Sequence, residues 1–252
     1  MSSSDRFVFV PLGGCGEIGM NLSLYGFGPE GEEKWIIADL GVTFGHADLP
    51  GIDVICPDPG FIVERRRDLL GIVLTHGHED HIGAIPYLWP QLKCPVYATP
   101  FTAELVRGKL ADRGLEDTVP LKTVPLGGSL KLGPFKIRYI TLTHSILEPN
   151  ALLIETPLGR IIHTGDWKID SDPLIGERTD EKSLRALGDE GVLALVCDST
   201  NVFVPGEAGS ESSVREALAR LISGRTGRIA VTAFASNLAR VETIARAAAA
   251  AG

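Results

Sequence analysis

The sequence predicts a mixed α/β fold, with sheets covered by helices on their outer faces, and two observations carry that prediction. Short apolar runs of four to six residues recur along the first four fifths of the chain, each bounded by Gly, Pro or Asp, with helical patterns between them. Near residue 192 the grammar changes to a regular strand, helix, strand, helix alternation, the pattern of a parallel sheet.

In chain order, strands are expected at 7–11, 21–25, 35–39, 71–75, 95–98, 136–141, 151–155 and 160–163. Helices are expected at 80–88 and 99–113, the second opening on Thr99-Pro100, a cap residue followed by a proline suited to the first helical turn. The later alternation reads as strand 192–197, helix 211–222, strand 228–232 and helix 238–251. Two strands are too few for a parallel sheet to bury its edges, so these 252 residues are expected to be the front part of a longer or split protein. No internal repeat is seen, and the terminal alanine run is explained by a helix.

Composition agrees with a soluble globular protein: 44% hydrophobic residues, 22% charged, and 24 basic against 32 acidic side chains for a net charge of −8. The length suits one large domain, or one domain and part of a second, and excludes fibrous, disordered and disulfide-stapled classes. The polar start and the lack of a long apolar run leave neither a secretion signal nor a membrane span, so the expected compartment is the cytoplasm with no membrane partner. Cys15, Cys56, Cys94 and Cys197 have no CxxC spacing and read as reduced core thiols, against a thiolate zinc site. Net acidity argues against coating nucleic acid by bulk charge, but a metal pair can hold phosphate without a basic surface.

The chemistry concentrates in Thr75-His76-Gly77-His78-Glu79-Asp80-His81, directly after an apolar strand. Three imidazoles and two carboxylates are costly to hold together at a strand end unless a cation sits among them. His76 and His78, two apart in extended backbone, project to one side and can share an ion, whereas Asp80 and His81 start a helix, point elsewhere and can bind a second. His144 follows the strand 136–141, and His163 and Asp166 follow the strand 160–163. Three ligand-bearing segments at strand exits form a specific signal, while His46 keeps an ordinary surface reading.

The pattern His76-x-His78-x-Asp80-His81, with the later His144, Gly165-Asp166 and Asp39 in Ala38-Asp39-Leu40-Gly41, resembles the metal-binding motifs of the metallo-beta-lactamase fold, an αββα sandwich. Further stretches narrow the resemblance: Leu12 to Asn21, Thr143-His144-Ser145, His163-Thr-Gly-Asp-Trp-Lys168, Asp198-Ser-Thr-Asn201 and Phe234-Ala-Ser-Asn237. Together they resemble the ribonuclease J family of bacterial beta-CASP nucleases, along nearly the whole chain. The resemblance implies a metallo-beta-lactamase domain over 1–200, incomplete here, and the beginning of a beta-CASP domain over 201–252. It implies a metal-dependent ribonuclease, acting on RNA as a 5′-exonuclease and endonuclease through a metal-activated hydroxide.

Residue by residue, the resemblance places His76, His78 and His144 on one metal, Asp80 and His81 on the other, and Asp166 between them. It counts Asp80, Asp166 and Asp198 as catalytic, with Asp198 positioning an active-site group. Asp39 and His163 would brace the ligands without binding metal. Zinc suits the nitrogen-rich ligand set and manganese is compatible with it. The family's later histidine-rich segment, its final metal-binding histidine and its dimerising C-terminal region have no counterpart after residue 201, so the second metal is one ligand short. A homo-oligomer would belong to the full-length protein.

Two other classes share these features. A small-molecule hydrolase, a thioesterase or lactonase, would use the same ligands, but has no reason to begin a βαβα insert at Asp198. A catalytically incomplete RNA-binding module is favoured by the missing histidine. Gly13-Gly-Cys-Gly-Glu-Ile-Gly19 resembles a dinucleotide fingerprint only superficially, since a strand follows it, and it reads as a hairpin turn near the site. Arg65-Arg66-Arg67 and Phe44 read as a solvated face and a loop aromatic.

Overall fold

The computed structural model describes residues 4–251. The chain runs β1 (Arg6–Gly13), β2 (Leu22–Gly28), β3 (Lys34–Ala38), β4 (Thr43–Phe44), β5 (Val54–Ile55), α1 (Gly60–Glu64), β6 (Leu69–Val73), α2 (Glu79–Ile82), α3 (Ile85–Leu92), β7 (Val96–Ala98), α4 (Pro100–Ala111), β8 (Leu121–Thr123), β9 (Ser129–Leu132), β10 (Phe135–Thr141), β11 (Asn150–Thr156), β12 (Gly159–His163), α5 (Glu181–Glu190), β13 (Ala194–Val196), α6 (Glu211–Ser223) and α7 (Leu238–Ala251). One sheet has the order β1-β2-β3-β6-β7-β8, a second the order β13-β12-β11-β10-β9, and β4 with β5 makes a small ribbon.

Strand alternation builds three apolar layers from these two sheets. Leu22, Leu24, Trp35 and Ile37 face the helical side, where Ile62 of α1, Leu88 of α3 and Val106 of α4 share their core. Their neighbours Tyr25, Phe27, Ile36 and Ala38 face the other way, against Ile137, Tyr139, Leu152 and Ile154 of the second sheet. On the far side of that sheet Ile140, Leu153 and Ile162 bury against Leu187 of α5. This is the αββα sandwich, and each fully buried aliphatic side chain in it contributes about 1.5–3 kcal/mol of burial.

Topology decides where the functional side chains emerge. Strands β3 and β6 are parallel, so Asp39 and Thr75 leave the first sheet at the same edge. In the second sheet β10 and β12 each pair antiparallel with β11 and β13 is parallel to β12, so the exits toward His144, Asp166 and Asp198 share one edge. Asn150 ties the two edges together, its backbone N–H donating to the Thr75 carbonyl at 3.1 Å.

All eight early strands form within a few residues of their expected bounds, and the helix expected at 99–113 is α4. The helix expected at 80–88 is two helices, α2 and α3, with Pro86 in the first turn of the second, where its missing N–H costs nothing. The strand at 192–197 forms as β13, but as a parallel edge of the sandwich's second sheet. Residues 228–232 form no strand: among the described residues no ladder partner lies alongside them, and Ile229 and Val231 stay exposed. Helices α6 and α7 lie against each other, held by Arg215 to Glu242 at 3.2 Å and Arg240 to Glu211 at 3.2 Å. The cysteines are free; Cys94 is a core thiol and Cys56 packs partly buried against the core, but Cys15 and Cys197 are exposed beside the site, since a turn after a strand does not by itself bury a side chain.

Candidate metal centre

Two groups of ligand-type side chains converge at the shared edge: His76, His78, His144 and Asp166 in one, and Asp80, His81 and Asp166 in the other. In the first, His76 Nε2 lies 3.0 Å from His78 Nδ1, and His144 Nε2 lies 3.2 Å from that same atom. Ligands about 2.0–2.1 Å from a tetrahedral ion stand about 3.3 Å apart, so these nitrogens already have the spacing that an ion between them requires. In the second group His81 Nε2 is 3.4 Å from Asp80 Oδ2 and 3.2 Å from Asp166 Oδ1. The other oxygen of Asp166, Oδ2, faces His144 Nε2 at 3.6 Å, so one carboxylate serves both groups with one oxygen each.

Asp39 orients the imidazoles from behind. It is fully buried at a positive φ of 63°, a conformation Asp tolerates better than most residues. Its Oδ1 accepts the Thr75 N–H at 2.8 Å, and its Oδ2 accepts both the Thr75 hydroxyl at 2.8 Å and His81 Nδ1–H at 2.7 Å. With that hydroxyl proton committed, Thr75 Oγ1 can only accept from His76 Nδ1 at 3.0 Å. Both rings are thereby fixed with Nδ1 turned to this brace and Nε2 aimed at the ligand groups, bare in His76 and, in His81, the atom that must give up a proton before it can ligate. Gly41 permits the close packing of this loop on α2, because a Cβ there would stand 1.6 Å from the Asp80 carbonyl oxygen.

The electrostatics of the groups differ. Burial lowers His76 well below the usual histidine value, and the neighbouring imidazoles of His81, His78 and His144 lower it further. Burial likewise lowers His78, against the pull of Asp80, and takes His144 down to about 4. These three rings are neutral at pH 7, ready to coordinate. Burial opposes charge on His81 too, but the carboxylates of Asp39, Asp166 and Asp80 outweigh it and raise that ring well above the ordinary value. Burial would raise Asp39 and Asp166, yet His81 holds both below the usual carboxylate range.

A cavity of about 430 Å³ opens over the second group, walled on one side by the glycine loop Gly13 to Gly19 and on the other by Cys197 to Thr200. That loop joins antiparallel β1 and β2, which is the hairpin reading of its glycines. Asp198 lines the cavity but joins neither ligand group, and its Oδ1 accepts Thr200 N–H at 2.9 Å as a strand-end turn. His163 lies behind the groups, its Nε2 3.9 Å from Asp39 Oδ2 and its Nδ1 3.0 Å from the Tyr25 hydroxyl. His46 and Phe44 are exposed away from the groups, and Arg65 stacks 3.9 Å over Phe61.

Sequence reasoning passed over Thr75, Asn21 and Tyr25. Thr75 adjoins the first histidine, and Asn21, which donates to the Asp80 carbonyl at 2.9 Å, closes the glycine-rich stretch. Those two positions were the available signal. Tyr25 had none, being one apolar-strand residue among many.

An αββα sandwich with histidine and carboxylate ligands gathered at one sheet edge defines a class of divalent-metal proteins. Residues 28–221 match the model of the metallo-beta-lactamase superfamily, and the chain belongs to that superfamily. It is 49% identical over all 252 residues to a ribonuclease J of Sinorhizobium meliloti, covering 45% of that protein. It is 41% identical over 94% of its length to ribonuclease J 1 of Streptococcus pyogenes, covering 41% of it, and 43% identical over 96% to a ribonuclease J of Mycobacterium tuberculosis, covering 42%. The chain thus spans under half the length of these curated relatives. A solved protein of unknown function from Enterococcus faecalis shares the fold at a TM-score of 0.66 and 18% identity, over 95% of this chain and 63% of that one. Among the described residues no helix is long and apolar enough to cross a membrane.

Proposed function

We propose that the chain carries the metal centre of a ribonuclease that hydrolyses RNA phosphodiester bonds. The observation that supports this most is Asp166 offering one oxygen to each of two ligand groups beside an open cavity, in a chain similar along its whole length to proteins named ribonuclease J. In this reading His76, His78, His144 and Asp166 hold one divalent ion, and Asp80, His81 and Asp166 hold the other. Zinc is the favoured ion on its ligand chemistry, with manganese the alternative. When bound, such a pair supplies Lewis acidity and lowers the pKa of water.

The chain's own residues then have distinct tasks. Asp39 and Thr75 keep His76 and His81 in the ligating tautomer, so no reorientation is needed when substrate arrives. The cavity is lined by Asp80, Asp166 and Asp198, which repel phosphate on their own and make admission of RNA depend on the cations. Asp198, which lines the cavity outside both groups, is assigned the positioning of an active-site group. Residues 201–252, with α6 and α7, are read as the beginning of a beta-CASP domain that takes up the rest of the RNA, and oligomerisation is assigned to the remainder of a longer protein.

The test uses RNA labelled at either end, incubated with the 252-residue chain and with the protein that its gene encodes, each with zinc or manganese. Cleavage abolished in the His76→Ala variant supports the reading, and the label released separates 5′-exonucleolytic from internal cutting. Undiminished cleavage by that variant, or turnover of a chromogenic lactone or thioester with none of RNA, overturns it.

A further inference from the structure

Tyr25 lies in the core between the two sheets, fully buried, edge-on to the His163 ring and packed near Phe7 and Phe9. Among the described residues its hydroxyl has one partner, His163 Nδ1, at 3.0 Å. A buried hydroxyl with a single partner donates to it, because accepting would leave its own proton unpaired, and burial keeps this phenol protonated by raising its pKa. The His163 proton must then sit on Nε2, the atom facing the Asp39 carboxylate at 3.9 Å, which is too long for a direct hydrogen bond but favours that proton's dipole.

We infer that Tyr25 is a positioning residue of the metal centre, setting the tautomer and orientation of His163 and, through His163 and Asp39, the readiness of His81 to ligate. The chain of groups is Tyr25 Oη to His163 to Asp39 to His81, and the protons on Tyr25 Oη, His163 Nε2 and His81 Nδ1 are directed along it toward Asp39. Asp39 accepts hydrogen bonds from Thr75 and His81, and His163 Nε2 faces the same Oδ2 from 3.9 Å, adding a favourable dipole to the carboxylate that fixes His81. This rests on the metal-centre reading above, for which Tyr25 supplies a brace from the sandwich core. Nothing at the ligand positions themselves requires a tyrosine here; a phenylalanine would fill the same volume.

Tyr139 provides an internal control. It is buried to the same degree in the same apolar layer, and its hydroxyl donates to the Tyr97 carbonyl at 3.3 Å instead of a histidine. Tyr25→Phe and Tyr139→Phe therefore remove the same atom from the same core. The first readout is the ring-nitrogen NMR spectrum of His163, recorded on metal-free protein with ¹⁵N-labelled histidine: the Nε2–H tautomer is expected in the parent and in Tyr139→Phe, and a mixed state in Tyr25→Phe. The second is zinc affinity by competition with a chromophoric chelator, expected about tenfold weaker in Tyr25→Phe alone, the low end for partners beyond the ligands. An unchanged His163 tautomer in Tyr25→Phe, or equal affinity losses in both variants, overturns the inference. Parent protein that binds no zinc overturns the metal-centre reading instead, and the tautomer measurement still decides for or against Tyr25.

Discussion

The two ligand groups share Asp166 and lie side by side, yet they are built on opposite electrostatic plans. The group of His76, His78 and His144 is neutral, because burial and mutual repulsion keep its rings unprotonated. The group of Asp80 and His81 is charged: His81 sits among three carboxylates that hold a proton on it. To hold a divalent ion the first group would release no proton and offer preset nitrogens, whereas the second would have to release the His81 proton and would offer two carboxylates in return. The first group is thus a site of geometry and the second a site of charge, and filling them should differ in order and in pH dependence.

The largest effect should come from breaking one group at a time. His76→Ala removes the most deeply buried imidazole of the first group and, on the proposed reading, is expected to lower RNA cleavage by about a thousandfold or more, a loss of about 4 kcal/mol of transition-state stabilisation. On the proposed reading of two zinc ions per chain, Asp80→Asn should leave the first group filled and lower the zinc found by elemental analysis to one per chain. Equal loss of both ions in either variant would show the two groups to be a single unit, contrary to the comparison.

Asp39→Asn sharpens the comparison, since Asp39 hydrogen-bonds directly to His81 but reaches His76 only through Thr75. The expected result is zinc affinity about ten to a hundredfold weaker at the second group, with a smaller change at the first. Titration with zinc should resolve two steps in the parent protein and a widened gap between them in the variant.

How much of this was legible in the sequence follows from which interactions are local. The ligands announced themselves because His76, His78, Asp80 and His81 lie within six residues and the strand before them is a plain apolar run. Their orientation did not, because Asp39 and Thr75 are 36 residues apart and meet only once β3 and β6 lie parallel. Strand 228–232 shows the opposite failure. Its alternating apolar residues satisfy the local pattern for a strand, but a strand also needs a partner's N–H and C=O groups, which the described residues do not supply. Cys15 and Cys197 read as core thiols from an apolar or turn context, but turns at a cavity rim expose them.

The pH dependence of metal-free protein tests the contrast without any assay of activity. The first group's histidines titrate near 6.5 in the unfolded chain and lower in the fold, so below about pH 6.5 the unfolded state binds more protons and stability falls as pH falls. His144 alone accounts for about 3 kcal/mol of this, fully expressed only toward pH 4. His81 has the reverse sign: its folded value is raised, so its contribution is complete below about 6.5 and is lost as pH rises through the folded pKa. Calorimetric Tm in chelator should therefore peak near pH 6.5 and decline on both sides. Added zinc should lift the alkaline limb most, and a flat profile would mean that the groups are not charged as described.

The smallest effect bounds the first group on its open side. Ser145 Oγ stands 3.5 Å from His78 Nε2, at the outer limit of a hydrogen bond, whereas His76 is fixed by Thr75 at 3.0 Å. His78 also differs from its neighbours in presenting Nδ1, not Nε2, toward the other ligands. If its orientation came from Ser145, then Ser145→Ala would free the ring and weaken zinc binding as much as a lost Asp39 contact would. The packing of His76, 4.8 Å from the His78 ring, and of His144, also 4.8 Å from it, argues that neighbouring imidazoles already confine the ring. Ser145→Ala is accordingly expected to change zinc affinity by less than about threefold, which competition titration can resolve; a tenfold loss would place the brace of the first group on its exposed side as well as behind it.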